Sequence, residues 1–167
     1  MKAQTEPAPD TAISTAHGRT VVAIVLTWRG RIGLFRRSRA VHHDAGAWHC
    51  ITGYVEPRTS PLEQALLELH EETGVCLADL TSFVPCDVLE LPDADGNVWA
   101  IHTFAAETGK RRLVLNEEHD GHRWVRPSDV RRFTNRVPWL DTVIESAAHG
   151  SGQMVTETVP KLSTVRS

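Results

Sequence analysis

Glu68, Glu71 and Glu72 stand three and four residues apart in a stretch that reads as one helix. With Glu68 at zero and about 100° per residue, Glu71 falls near −60° and Glu72 near +40°. The three carboxylates therefore share one side of the helix. Like charges on adjacent turns repel by roughly a few tenths of a kcal/mol per pair, and the C-terminal half of a helix disfavours anions through the backbone dipole. Local stability would not select this arrangement. A divalent cation would reverse both effects, and clustered carboxylate oxygens suit Mg²⁺ or Mn²⁺. On the helix alone, a solvated acidic face is the competing explanation.

The helix announces its own limits. Ser60 is an N-cap candidate, Pro61 occupies the first helical position, and Glu63 completes a capping box. Gly74 supplies the stop, so the spacing predicts a helix over Pro61–Thr73. Leu62, Ala65, Leu66 and Leu69 form the stripe expected to face a core, and Glu63, Leu67 and His70 take the remaining side.

Strands must position this helix. Val21–Trp28 is a β-branched run, Arg29-Gly30-Arg31 a tight turn, and Ile32–Arg37 a returning strand, so the pair predicts a hairpin. Residues 39–47 read as a loop and Trp48–Ile51 as a short strand running into Thr52-Gly53. Further strands are expected at Val84–Leu91, Val98–Ala106 and Arg123–Val125, with Pro92–Asn97 as a turn. Ser128-Asp129 begins a short helix ending at Phe133. Pro138–Ala148 predicts a closing helix that buries Leu140, Val143, Ile144 and Ala147. The order implies an α/β sandwich with a mixed sheet and helices on either side.

The chain of 167 residues suits one domain. Residues 1–17, rich in Thr, Ala, Pro and Ser, read as a disordered leader, residues 18–149 as the folded domain, and 150–167 as a flexible tail. Eighteen basic against 21 acidic residues give a net charge of −3, which offers no polybasic face for nucleic acid or anionic membranes. No apolar run has the length of a membrane span, and Met1–Pro7 lacks the apolar segment of a signal peptide. Cys50, Cys76 and Cys86 are an odd set with no CxxC spacing. They read as reduced thiols in a cytoplasmic protein, with Cys50 in the core.

The stretch Gly53–Val75 resembles the Nudix box, GX₅EX₇REUXEEXGU, in which U is a bulky aliphatic residue. Seven of its nine specified positions match: Gly53, Glu68, Leu69, Glu71, Glu72, Gly74 and Val75. Two depart, since Thr59 stands where the family has Glu and Leu67 where it has Arg. In typical members those two side chains are oppositely charged and approach each other. Their joint loss leaves no unpaired charge, and a coupled replacement is the expectation. Ile32–Arg37, Ala47–Gly53, Glu118-His119 and Arg123–Val125 look like the strands and late loop of the same family.

The resemblance implies a Nudix-like α/β/α sandwich and a hydrolase acting on a nucleoside diphosphate linked to another group, with Mg²⁺, or Mn²⁺, as cofactor. Glu68 and Glu72 are the implied metal ligands and Glu71 a ligand or its neighbour; all three belong to the catalytic set, with Glu68 a candidate general base. Glu118 is a candidate additional ligand. The carbonyl of Thr52 or Gly53 could complete the shell. Arg36 and Arg37 alternate across a strand, so one of the two is expected to hold phosphate. Trp48, Trp99 and Trp139 are candidates to stack a ring. His119 and His122 lack the partners of a zinc set, and His42 and His43 lie near the expected mouth. Trp48, Thr52-Gly53, Glu118-His119 and Trp124 look most like members that cleave a nucleoside or pterin triphosphate to monophosphate and pyrophosphate. The alternatives are a nucleotide-sugar or dinucleotide pyrophosphatase and a non-catalytic nucleotide sensor. The expected partner is a small nucleotide-like molecule bound by a monomer or homodimer, with no nucleic acid and no membrane.

Overall fold

A computed structural model describes residues 17–152. Seven strands form one sheet: β1 (His17–Trp28), β2 (Arg31–Arg37), β3 (Trp48–His49), β4 (Ile51–Tyr54), β5 (Leu80–Pro92), β6 (Val98–Thr108) and β7 (His119–Val125). The spatial path is β3-β2-β1-β6-β5, with β4 also pairing β1 and β7 pairing β2. β1 and β6 run parallel, while the other pairs are antiparallel, so the sheet is mixed as expected.

β1 is buried on both faces. Val22, Ile24 and Leu26 point into a core shared with Phe35, Ile51, Ala65 and Leu69, which lies under helix α1 (Pro61–Thr73). Ala23 and Val25 point to the opposite core, closed by Leu140, Val143 and Ala147 of helix α2 (Leu140–Gly152). Period-two alternation in one strand thus separates two layers of packing and gives the α/β/α sandwich.

α1 has the predicted bounds. Ser60 Oγ accepts from the Glu63 amide, Glu63 returns the bond to the Ser60 amide, and Gly74 ends the helix at φ 70°, a conformation that costs glycine little. The buried face differs from the expected stripe. Gln64, Ala65, Leu69, Glu72 and Thr73 are buried, whereas Leu62 is 45% exposed. The face pressed on the sheet is centred near Glu72 rather than Leu66, so a carboxylate occupies the middle of a packing surface.

Other differences are local. β1 begins at His17, inside the expected leader, and α2 runs to Gly152, inside the expected tail. Residues 1–16 and 153–167, where the rest of the leader and tail were expected, lie outside the described residues. The predicted short strand is two strands, interrupted at Cys50. The helix expected at Ser128 is a 3-10 turn over Pro127–Arg132 without a side-chain cap. α2 starts at Leu140, two residues after the expected Pro138. A further 3-10 turn at Leu77–Asp79 had no clear sequence signal. Among the described residues, no helix is long and apolar enough to cross a membrane.

Candidate active site

The C-terminal half of β4 runs alongside α1 and brings the backbone of Gly53 against the side chain of Glu68. A Cβ at Gly53 would overlap the Glu68 carboxyl group, so the close approach requires glycine. Glu68 Oε1 accepts a 2.8 Å hydrogen bond from Gln64 Nε2, and Gln64 Oε1 accepts a 3.2 Å bond from the Glu56 amide. Burial raises the Glu68 carboxyl above the ordinary range, the Gln64 bond opposes this, and the charges of Glu71, Glu118 and Glu56 raise it further.

Glu72 lies one turn deeper and is only 1% exposed. Neither of its oxygens has a hydrogen-bond partner of good geometry among the described residues. Its carboxyl is held well above the ordinary range, first by burial and then by Glu68 and Glu118; the Thr52 backbone and Arg37 pull the other way. His119 Nε2 lies 3.7 Å from Glu72 Oε2. That imidazole is held down to about 4, by burial and then by Arg37, so at neutral pH it is uncharged and does not neutralise Glu72.

Behind His119 lies His49, at 2.8 Å between the two Nε2 atoms. One ring must donate and the other accept, so the pair adopts complementary tautomers. Cys50 is fully buried, as expected; burial and the nearby Glu72 push its thiol up, which keeps it protonated.

Of these groups, Thr52, Gly53, Glu56, Glu68, Glu118 and Arg37 line a cleft of about 1500 Å³, and Glu72 is buried behind Glu68. Val21, Ala23 and Ile101 form part of its lining, with Thr52, Gly53 and Glu68 on one side and Pro138, Trp139 and Thr142 on another. The turn after β5 contributes Pro92–Asp95, and β6 contributes Trp99, whose indole N–H donates to Asp93 at 2.9 Å. Asp93 also accepts from the Asn97 side chain and from the amides of Asn97 and Asp95, which hold its carboxyl down at about 2. Seven carboxylates line the cleft, from Asp44, Glu56, Glu68, Asp93, Asp95, Glu117 and Glu118. Arg37 is the one guanidinium or ammonium among the described lining residues.

The expected residues fall into three groups. Gly53 and Glu68 meet, Glu72 lies close to Glu68 but is buried behind it, and Glu118 reaches the cleft from the loop before β7. Glu71 is exposed, on the outer flank of α1. Of the two arginines, Arg37 lines the cleft, with Nε donating to the His43 carbonyl at 2.8 Å. Arg36 is turned away, paired with Asp120 at 2.5 Å. Trp48 does not line the cleft, contrary to expectation. It packs edge-on to Phe133 at 5.1 Å, where the pleat places it on the α2 core. Trp99, Trp139, His42 and His43 do line the cleft, whereas His122 sits between Phe35 and Trp124.

Sequence reasoning overlooked Gln64 and the His49–His119 pair. Gln64 carried a usable signal, since it lies four residues before Glu68 and so on the same helix face.

Among the described residues, no three His, Cys, Asp or Glu side chains converge as a ready-made metal cage. The donor set nevertheless fits a hard divalent cation. Glu72 is a buried carboxylate with two unpartnered oxygens, flanked by two further carboxylates, and such a cluster is stable as anions only when a cation compensates it.

The profile described as NUDIX domain matches residues 16–146. Among curated proteins, an octanoyltransferase of Myxococcus xanthus is 33% identical over 129 residues, covering 72% of this chain and 33% of that protein. The chain thus spans about a third of the length of that curated relative. Among solved structures, the NUDIX domain of Shewanella oneidensis NrtR, complexed with ADP ribose, superposes with a TM-score of 0.65 at 18% identity, covering 78% of this chain and 86% of that one. The E. coli dihydroneopterin triphosphate pyrophosphohydrolase superposes with a TM-score of 0.57 at 20% identity, covering 75% and 95%.

Proposed function

Because this chain belongs to the NUDIX domain family of hydrolases, we propose that it is a divalent-metal-dependent pyrophosphohydrolase, and that its substrate is a nucleoside or pterin triphosphate. The products would be the monophosphate and pyrophosphate. The observation that carries this reading is Glu72, buried and without a hydrogen-bond partner among the described residues, set close to Glu68, which lines an acidic cleft. A polyphosphate would be repelled by seven carboxylates unless divalent cations accompanied it.

Glu68 and Glu72 would hold the Mg²⁺ or Mn²⁺, with Glu71 and Glu118 as further oxygen donors from the exposed side. When bound, the ion neutralises phosphate oxygens and makes a water nucleophilic. The chain's own groups do the rest. Gly53 leaves room for Glu68, and a Glu68 oxygen not engaged by the ion would accept the proton of the attacking water. The Arg37 guanidinium, oriented by the His43 carbonyl, holds a phosphate oxygen. Trp99 and Trp139 offer ring faces for the base or pterin, and the acceptor oxygens of Asp93 and Asp95 lie beside them.

A nucleotide-sugar or dinucleotide substrate is the alternative within this class, and the neighbour that binds ADP ribose supports it. A non-catalytic nucleotide sensor is favoured by the missing Glu and Arg at Thr59 and Leu67. Cys50, Cys76 and Cys86 are all free, which fits a reducing, cytoplasmic setting. The test is release of pyrophosphate and monophosphate from nucleoside triphosphates, pterin triphosphate, nucleotide sugars and dinucleotides, with and without Mg²⁺. Metal-dependent pyrophosphate release from a triphosphate is expected. Tight nucleotide binding with no turnover on any member of the panel would favour the sensor and overturn the proposal.

A further inference from the structure

We propose that Gln64 is the residue that aims Glu68, taking over the task for which Thr59 and Leu67 lack the charges. The inference rests on the metal-holding role of Glu68 proposed above. Gln64 is 3% exposed and lies four residues before Glu68 on α1. Its amide spans two elements: Oε1 accepts from the Glu56 amide in the loop after β4, and Nε2 donates to Glu68 Oε1. The orientation of the amide follows from chemistry. A backbone N–H can only donate, so it must face Oε1, which leaves the NH₂ group toward Glu68. The NH₂ group in turn selects a carboxylate oxygen that accepts.

The loop from Val55 to Ser60 needs such a tie. It is joined within itself by the Thr59 amide to the Glu56 carbonyl, and it contains Arg58 at φ 68°, an unfavourable backbone for that residue. Leu67 is 46% exposed and makes no charged contact with this loop. Gln64 therefore couples the loop to the helix at the point where Glu68 meets Gly53. It acts on the reaction only through Glu68 and is a positioning residue.

The test compares Gln64→Met, which keeps the length but neither donates nor accepts, with Gln64→Glu, which keeps the acceptor for Glu56 and sets a carboxylate against Glu68. Both are expected to lower kcat about tenfold with the nucleotide KM within twofold. Gln64→Met should weaken Mn²⁺ binding measured by calorimetry without nucleotide, because Glu68 loses its donor without any gain of charge. Gln64→Met should also hasten tryptic cleavage after Arg58, and Gln64→Glu should not, because the loop tie survives. Adding Thr59→Glu with Leu67→Arg to Gln64→Met should restore kcat and Mn²⁺ affinity. Wild-type kcat and Mn²⁺ affinity in Gln64→Met, or no restoration by the added pair, would overturn the proposal. If the parent protein hydrolyses nothing, the hydrolase reading fails, while calorimetry and proteolysis still decide the role of Gln64. Should Gln64→Met fail to fold, Gln64→Glu carries the decision through kcat, and a parental kcat in that variant would overturn the proposal.

Discussion

The carboxyl group of Glu68 occupies the space that a side chain on Gly53 would fill. Strand and helix meet at this contact, and it sets how close the acidic face lies to the backbone of β4. Gly53→Ala should therefore displace Glu68 and lower kcat by roughly a hundredfold, since misplacing a catalytic group by about an ångström has that effect. Circular dichroism should show the fold retained. Unchanged kcat would mean that Glu68 acts from another rotamer.

Glu68→Gln tests the same side chain chemically. Activity should fall by about a thousandfold, in the range of a lost general base. Thermal stability should hold, because the substitution removes charge from a crowded acidic face. Turnover at the parental rate would refute the role of Glu68.

The metal-free protein should respond to pH in a definite direction. Glu68 and Glu72 are raised above the ordinary 4.5, so the stability linked to their protonation is present below that value and lost as pH climbs through the raised ones. His119, held at about 4 against an ordinary 6.5, works oppositely: its contribution is complete above 6.5 and lost as pH falls toward 4. Above 6.5 only the carboxylate deficit remains. Added Mg²⁺ should therefore raise Tm more at about pH 8 than at about pH 5. Equal increments in thermal melts at the two values would contradict compensation at this site.

The three tryptophans should separate by role. Trp99→Ala and Trp139→Ala are expected to raise the nucleotide KM about tenfold, the scale of one lost base-stacking contact. Trp48→Ala, which strips a ring from Phe133 and the α2 core, should lower Tm and leave KM alone. Steady-state kinetics beside thermal melts would check both halves.

Thr59→Glu with Leu67→Arg should be tolerated better than the sum of the single changes, by about 0.5 kcal/mol or more of coupling in a double-mutant cycle. Additive costs in denaturant unfolding would show that the two positions do not meet.

Part of this site is legible in the sequence alone. The caps of α1, Gly53 and the phase of the three glutamates follow from local chemistry. The alternation of Arg36 and Arg37 limited the choice to one of them without saying which. That choice depends on Asp120, a partner distant in sequence. The depth of Glu72 was hidden because helical phase places a residue on a face but says nothing of how the face meets the sheet. Trp48 misled for a similar reason: an indole beside a motif looks like a ligand contact until Phe133 is found against it. The break at Cys50 separates two pairings, since β3 joins β2 and β4 joins β1, and no local pattern encodes that division.

The parallel pairing of β1 with β6 has a consequence for how the molecule is assembled. Val21 and Ala23 register with Ile101 and Thr103, some eighty positions along the chain. The acidic helix can form early from its own caps, but the part of the cleft lined by Val21, Ala23 and Ile101 closes only when the two distant stretches dock. Fragments cut between β5 and β6 would each be expected to remain inert and to regain a working pocket only on mixing, with complementation as slow as non-local strand pairing.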